Sequence, residues 1–256
     1  MIHDIQDIII HDNPYEFDTD KNGFPTFTPK NMKFIQVLIH NDSNYRVSFN
    51  ANAEKSSAHF LDNHFPETKE RLQKAIELLD KENSTHLSVQ GGIDATVQKI
   101  MDIGLETVKN RIQSGDPELV NEIANALPNR LNFSFASKFC TYSNRYCFKR
   151  DDYAIYDNIV AKILAYYSYV YTGEVHWKEI SGKFARKESI IRDEFVLKQS
   201  DYRGYNELVG RILKVVKDNI NPDITRKDFD ALLWYYYKGD PDRIINANTY
   251  LGKENE

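Results

Sequence analysis

Two cysteines, Cys140 and Cys147, are all that the 256 residues contain. Two are too few for a four-cysteine zinc or iron–sulfur site. Their spacing of seven admits a disulfide, but buried free thiols are the expectation. Long apolar runs are missing as well, and none approaches the ~18 residues of a membrane span. The opening MIHDIQDIIIHDN is acidic and has no basic stretch ahead of its apolar residues, so it does not read as a secretion signal. Fixed-period repeats, low-complexity tracts and the HExxH zinc motif are all absent. His59 and His64, with Asp62 between them, have a spacing that leaves the two imidazoles on different sides of a helix. DTDKNG at 18–23 begins like a calcium loop, but Pro29 stands where the closing glutamate belongs. No metal or cofactor is expected.

What is present is an ordinary globular composition, 41% hydrophobic and 28% charged, in a chain long enough to bury a core as one large or two modest domains. Sixteen Tyr and fourteen Phe are spread along it, many beside Asn, Lys or Arg. The net charge of −5 is unevenly distributed. Residues 1–128 hold 12 Lys and Arg against 20 Asp and Glu, and residues 218–256 hold 5 against 8. The stretch between them, 129–217, reverses the sign with 16 against 10. A local basic region of this kind is the footprint of a face that meets phosphate, and the charge of the whole chain conceals it.

Residues 1–60 read as an N-terminal segment of short strands and loops. KFIQVLIHNDSNYRVSFNAN suggests two strands turning at Asn41-Asp42-Ser43-Asn44, and Gly23, Pro25 and Pro29 mark a loop before it. Residues 61–256 read as a helical core. PETKERLQKAIELLDKEN places Pro66 in a first helical turn. Apolar residues from Ile93 to Val108 continue at helical spacing, with Gly104 able to kink or split the run. Asp116-Pro117-Glu118 is a start signal for a helix reaching about Leu127, ended by Pro128. Further helical signals follow at 131–144, 157–172, 184–197, 202–219 and 225–238. The fold class is mainly α.

The chemistry concentrates at 133–160. Lys138 is flanked by Phe133, Phe135, Ala136, Phe139 and Cys140. An amine held against apolar surface has its charged form disfavoured, which lowers its pKa and leaves a nucleophile able to form a Schiff base. Asp157, 19 residues on, opens the next helix. A carboxylate there caps free N–H groups, stays ionised at the positive end of the helix dipole, and suits the stabilisation of a sugar cation.

LNFSFASK at 131–138 with YAIYD at 153–157 resembles the helix-hairpin-helix superfamily of DNA glycosylases, and within it the prokaryotic proteins related to 8-oxoguanine DNA glycosylase. FDALLWYYYKG at 229–239 resembles the closing helix of those proteins. The hairpin segment, LPNRLNFSFASK at 127–138, keeps the Leu-Pro and the Lys but none of the usual glycines. The resemblance implies two helical lobes with a cleft between them, and a hairpin and catalytic segment within 127–172. It implies a DNA N-glycosylase, with or without AP-lyase activity, in which Lys138 and Asp157 are catalytic. Arg130, Asn132, Ser134, Arg145, Lys149 and Arg150 are then DNA contacts, and Tyr142, Tyr156 and Trp234 line the base pocket. Trp234, Tyr235 and Tyr236 are adjacent on one helix and point in different directions, so at least one belongs to the core. The expected partner is double-stranded DNA, met by a monomer in the prokaryotic cytoplasm and nucleoid. The same resemblance leaves open a defence enzyme removing a hypermodified base from viral DNA, and a non-catalytic DNA-binding module.

Overall fold

The computed structural model describes residues 17–41, 64–83, 85–88, 91–127, 131–174, 201–238 and 243. Among them the chain is mainly helical and has no strand beyond an isolated antiparallel bridge between Thr19 and Pro25. The helices are α1 (Pro29–Asn41), α2 (Lys69–Asn83), α3 (Gly92–Ile103), α4 (Leu105–Ser114), α5 (Glu118–Ala124), α6 (Phe133–Tyr142), α7 (Asn158–Thr172), α8 (Tyr202–Asn219) and α9 (Arg226–Tyr237). A π-helical turn, Ser143–Cys147, extends α6. None of these helices is long and apolar enough to cross a membrane.

The expected strand at 33–40 is part of α1. Pro29 is the first residue of this helix, where its fixed φ is already helical and its missing N–H would have had no partner. Phe34, Ile35, Leu38 and Ile39 then recur at helical spacing and are buried. Residues 42–52 of the same expectation, and the helical signal at 184–197, lie outside the described residues. Pro66 falls ahead of the first turn of α2 rather than within it. Thr68 starts that helix, its hydroxyl accepting from the N–H of Arg71 and its carbonyl from that of Leu72. Gly104 splits α3 from α4 at φ 93°, and its N–H closes on the carbonyls of Ile100 and Met101. The helix announced by Asp116 stops at Ala124, and Asp116 accepts from the N–H of Glu118.

The chain divides into two compact units, each discontinuous in sequence. One comprises residues 1–42, 157–200 and 207–256, and the other 43–156 and 201–206. Helix α1 therefore groups with α7 and α9.

In the first unit α9 packs on α7 and α1. Phe27 is buried against Phe229 (ring centroids 5.4 Å) and Tyr167 (5.4 Å). The DTDKNG loop is a tight turn built on Asp20. Its carboxylate accepts from the N–H groups of Asn22 and Phe24 and from the Tyr166 hydroxyl at 2.6 Å, while Tyr167 donates to the Pro25 carbonyl. A side chain–backbone turn of this kind clamps the loop to α7.

In the second unit α6 packs on α5 and α2, and α3 packs on α2, α4 and α5. Leu72, Ile76, Ile100, Ile112, Leu119 and Phe139 are fully buried there, each contributing about 1.5–3 kcal/mol of hydrophobic stabilisation. Asp80 fixes the chain after α2. Its buried carboxylate accepts from Thr85 Oγ1 (2.6 Å), Leu87 N (2.7 Å) and Ser88 N (2.9 Å). Burial alone would raise its pKa, but the Thr85, Leu87 and Ser88 donors outweigh it and hold the carboxyl below its usual value. A depressed folded-state pKa contributes stability that is present above the unfolded pKa, about 4, and is lost as pH falls through the folded value. Asp80→Asn is expected to cost about 1–3 kcal/mol at pH 7 and to flatten the loss of stability below pH ~4. Urea unfolding of both proteins between pH 2.5 and 7 checks this, and parallel pH curves would refute it.

Candidate lysine site on helix α6

Helix α6 begins at Asn132, whose Oδ1 accepts from the Phe135 N–H at 3.1 Å while its Nδ2 donates to the Thr85 carbonyl. Phe135, Phe139 and Tyr142 lie four and three residues apart and make one face, with the Phe135 and Phe139 rings stacked at 5.9 Å. An adjoining face carries Ser134, Ser137, Lys138 and Thr141 at the same helical spacing. Of these, Ser137, Lys138 and Thr141 are buried too, so this polar face needs partners inside the protein.

Lys138 is 8% exposed. Its Nζ donates to Ser134 Oγ at 3.3 Å, one turn toward the helix N-terminus. That is the direction a helical side chain takes from its own Cα. Among the described residues no carboxylate lies within ion-pair distance of this amine. The bond is longer than the ~2.7–2.9 Å of a charge-assisted N–H···O contact, and it uses one of three donors. A buried lysine held by a hydroxyl alone is an unusual expense for a structural residue.

Beside Lys138, Ser137 holds the chain that leads to Asp157. Its hydroxyl accepts from the Tyr156 N–H at 3.0 Å and donates to the Tyr156 carbonyl at 3.2 Å. The rest of the extended segment is held in the same manner. Asn144 accepts from the Asp152 N–H, and Asn206 bridges the Asp152 carbonyl to the Ala154 N–H. Tyr202 and Tyr205 donate to the carbonyls of Ala154 and Ile155. Tyr153 sends its hydroxyl to the carbonyls of Arg111 and Asp116. Gly115 lets this segment approach: its φ is 77°, and a Cβ there would stand 2.8 Å from that of Asp152. Asp157 is the next residue along the chain and the first of its unit. Its Oδ1 accepts from the N–H groups of Ile159 (2.9 Å) and Val160 (3.1 Å), so it caps α7 as its sequence position suggests.

The other residues expected at the site are differently employed. Asn132 is buried and its amide is committed to the cap and to Thr85. Arg145 Nε is paired with Asp151 at 2.6 Å, its side chain only 10% exposed. Arg150 is paired with Asp152 through both Nε and Nη2. Lys149 is exposed, at a left-handed φ of 56°. Arg130 lies outside the described residues. Tyr142 and Tyr156 are buried in the second unit, Tyr142 donating to Asn83 and Tyr156 packed edge-on to Tyr205 at 5.1 Å. Trp234 belongs to the first unit, half-buried, with Lys238 Nζ 3.7 Å from its ring centroid. Tyr235 is the member of the Trp234–Tyr236 run that joins the core. Cys140 and Cys147 are both free, and burial pushes the Cys147 thiol up to about 11 and the Cys140 thiol higher still.

Ser137, Asn144, Tyr202, Tyr205 and Asn206 did not stand out in the sequence. Each is a common polar residue in a helical run. One signal was available: Ser137 and Asn144 are polar at positions where the period of α6 calls for burial on both faces.

A protein-family model described as HI_0787_N, N-terminal domain, matches residues 24–147, just under half of the chain. That stretch contains Lys138 and ends before Asp157. No curated protein and no solved structure matches the chain.

Ser137→Ala is expected to leave the buried N–H and C=O of Tyr156 without their side-chain partner and to cost about 1–3 kcal/mol. Urea unfolding monitored by circular dichroism measures it, and a loss under ~0.5 kcal/mol would mean that water replaces the hydroxyl.

Proposed function

We propose that the protein is a DNA N-glycosylase in which the Lys138 amine attacks C1′ of an extruded nucleotide. The observation that carries this reading is the state of Lys138: a buried amine on α6, with a serine hydroxyl as its partner and no acidic side chain among the described residues within ion-pair distance. An amine engaged by a carboxylate would be a structural cation. One without an acidic partner has no ion pair to break before its nitrogen can attack.

Attack forms the Nζ–C1′ bond as the N-glycosidic bond breaks. The base leaves with the bonding electrons and takes up a proton, and the amine loses one. Asp157 supports the positive charge that develops on the sugar. Ring opening then gives an imine, which borohydride reduces to a stable cross-link. β-Elimination of the 3′ phosphate from the imine would add lyase activity. Extrusion is required because C1′ is shielded in stacked duplex DNA.

The electrostatics support a narrower phosphate surface than the count of basic residues implied. Arg145 and Arg150 each pair with a neighbouring aspartate, and of the two arginines Arg150 is exposed, as is Lys149 beside it. The enzyme is taken to act as a monomer on duplex DNA.

The decisive experiment incubates the protein with duplexes carrying oxidised, alkylated, deaminated or glycosylated bases, scoring free base and borohydride cross-links. Release of oxidised guanine marks a repair enzyme, and release of a glycosylated or other hypermodified base marks one directed at viral DNA. Lys138→Gln is expected to lose cross-linking entirely while keeping its circular dichroism spectrum. Asp157→Asn should slow release by about 10²-fold, the usual cost of removing a positioned charge stabiliser. Binding to every duplex with neither release nor cross-linking would make this a DNA-binding module instead.

A further inference from the structure

We propose that Ser134 is a positioning residue for Lys138. Its hydroxyl holds the lysine amine at the first turn of α6 and sets where the nucleophile reaches. The inference rests on reading Lys138 as a nucleophile, and it assigns Ser134 a role other than the phosphate contact that the hairpin resemblance implies.

Three hydroxyls share this face of the helix, and two have other circumstances. Ser137 Oγ is engaged on both sides by the Tyr156 peptide group. Thr141 lies one turn toward the C-terminus, opposite to the run of the lysine stem, and its Oγ1 has no hydrogen-bond partner among the described residues. Ser134 alone meets Nζ, at 3.3 Å. It is half-buried where Lys138 is nearly covered, so the amine is held at the point where the face opens outward. A lysine stem has many extended conformers, and a single anchor at its tip selects one of them. Nucleophilic attack is sensitive to such placement, since an error of about 1 Å is enough to cost ~10²-fold in rate.

A phosphate contact and a positioning contact have different kinetic consequences. Losing a phosphate contact weakens DNA affinity and lowers its salt dependence. Losing a positioning contact leaves affinity intact and slows the covalent step.

The test uses the full chain as wild type, Ser134→Ala, Ser134→Thr and Lys138→Gln. Without DNA, competitive acetylation by acetic anhydride followed by peptide mass spectrometry reads the reactivity of Lys138 against the exposed Lys30 and Lys214. The expected result is a change of about threefold or more at Lys138 alone in Ser134→Ala, with Ser134→Thr close to wild type. With duplex DNA containing an abasic site, single-turnover borohydride trapping should be about tenfold slower in Ser134→Ala at an unchanged Kd, and Ser134→Thr should recover most of the rate. Unchanged Lys138 acetylation in Ser134→Ala overturns the proposal, as does a weakened Kd with the trapping rate intact. If the wild type itself fails to trap, the glycosylase reading falls, and the acetylation result alone still decides the role of Ser134.

Discussion

An extended stretch of chain inside a helical protein must find hydrogen-bond partners without a neighbouring strand, and residues 152–156 meet that constraint with side chains. The Ser137 hydroxyl, the Asn144 and Asn206 amides and the Tyr202 and Tyr205 phenols take the places that a β-ladder would supply. Each unpaired buried peptide group would cost about 1–3 kcal/mol, so the set defines a path for the chain as well as stabilising it. Ser137 belongs to the same helical turn as Lys138, and Tyr156 precedes Asp157. That serine hydroxyl is therefore one of the side-chain ties that hold the chain running from Lys138 toward Asp157.

Electrostatics divides the basic region into cations that are committed and cations that are not. Arg145 and Arg150 answer Asp151 and Asp152, which follow them closely in sequence and belong to the same bracing of the extended segment. Among the described residues Lys138 has no such answer. The contrast gives the amine its significance, because an uncompensated buried cation is costly while a hydroxyl-bound amine with donors to spare is chemically available.

Helix positions were legible wherever a local signal decides them. The Asp157 cap and the Asp116 start signal lie at the ends of observed helices because they satisfy N–H groups that the helix itself cannot. Gly104 was readable as a break, since only glycine takes φ 93° at no steric cost. The run at 33–40 was misread because its branched and aromatic residues favour strands, while their spacing at 34, 35, 38 and 39 suits a helix and tertiary burial selected the helix. The pairing of Arg145 with Asp151 and of Arg150 with Asp152 was not legible, because a count of charges does not show which of them folding brings together.

Local chemistry alone determined the mainly helical class, the isolation of a lysine among aromatic residues on α6 and the aspartate that opens α7, because capping and periodicity act within a few residues. Tertiary structure decided which polar groups are spent. Asn132, Arg145, Arg150 and Ser137 are committed to partners between 2 and 47 residues away, whereas among the described residues Lys138 meets the hydroxyl of Ser134. A sequence displays the donors and acceptors, but burial determines which of them must pair and with what.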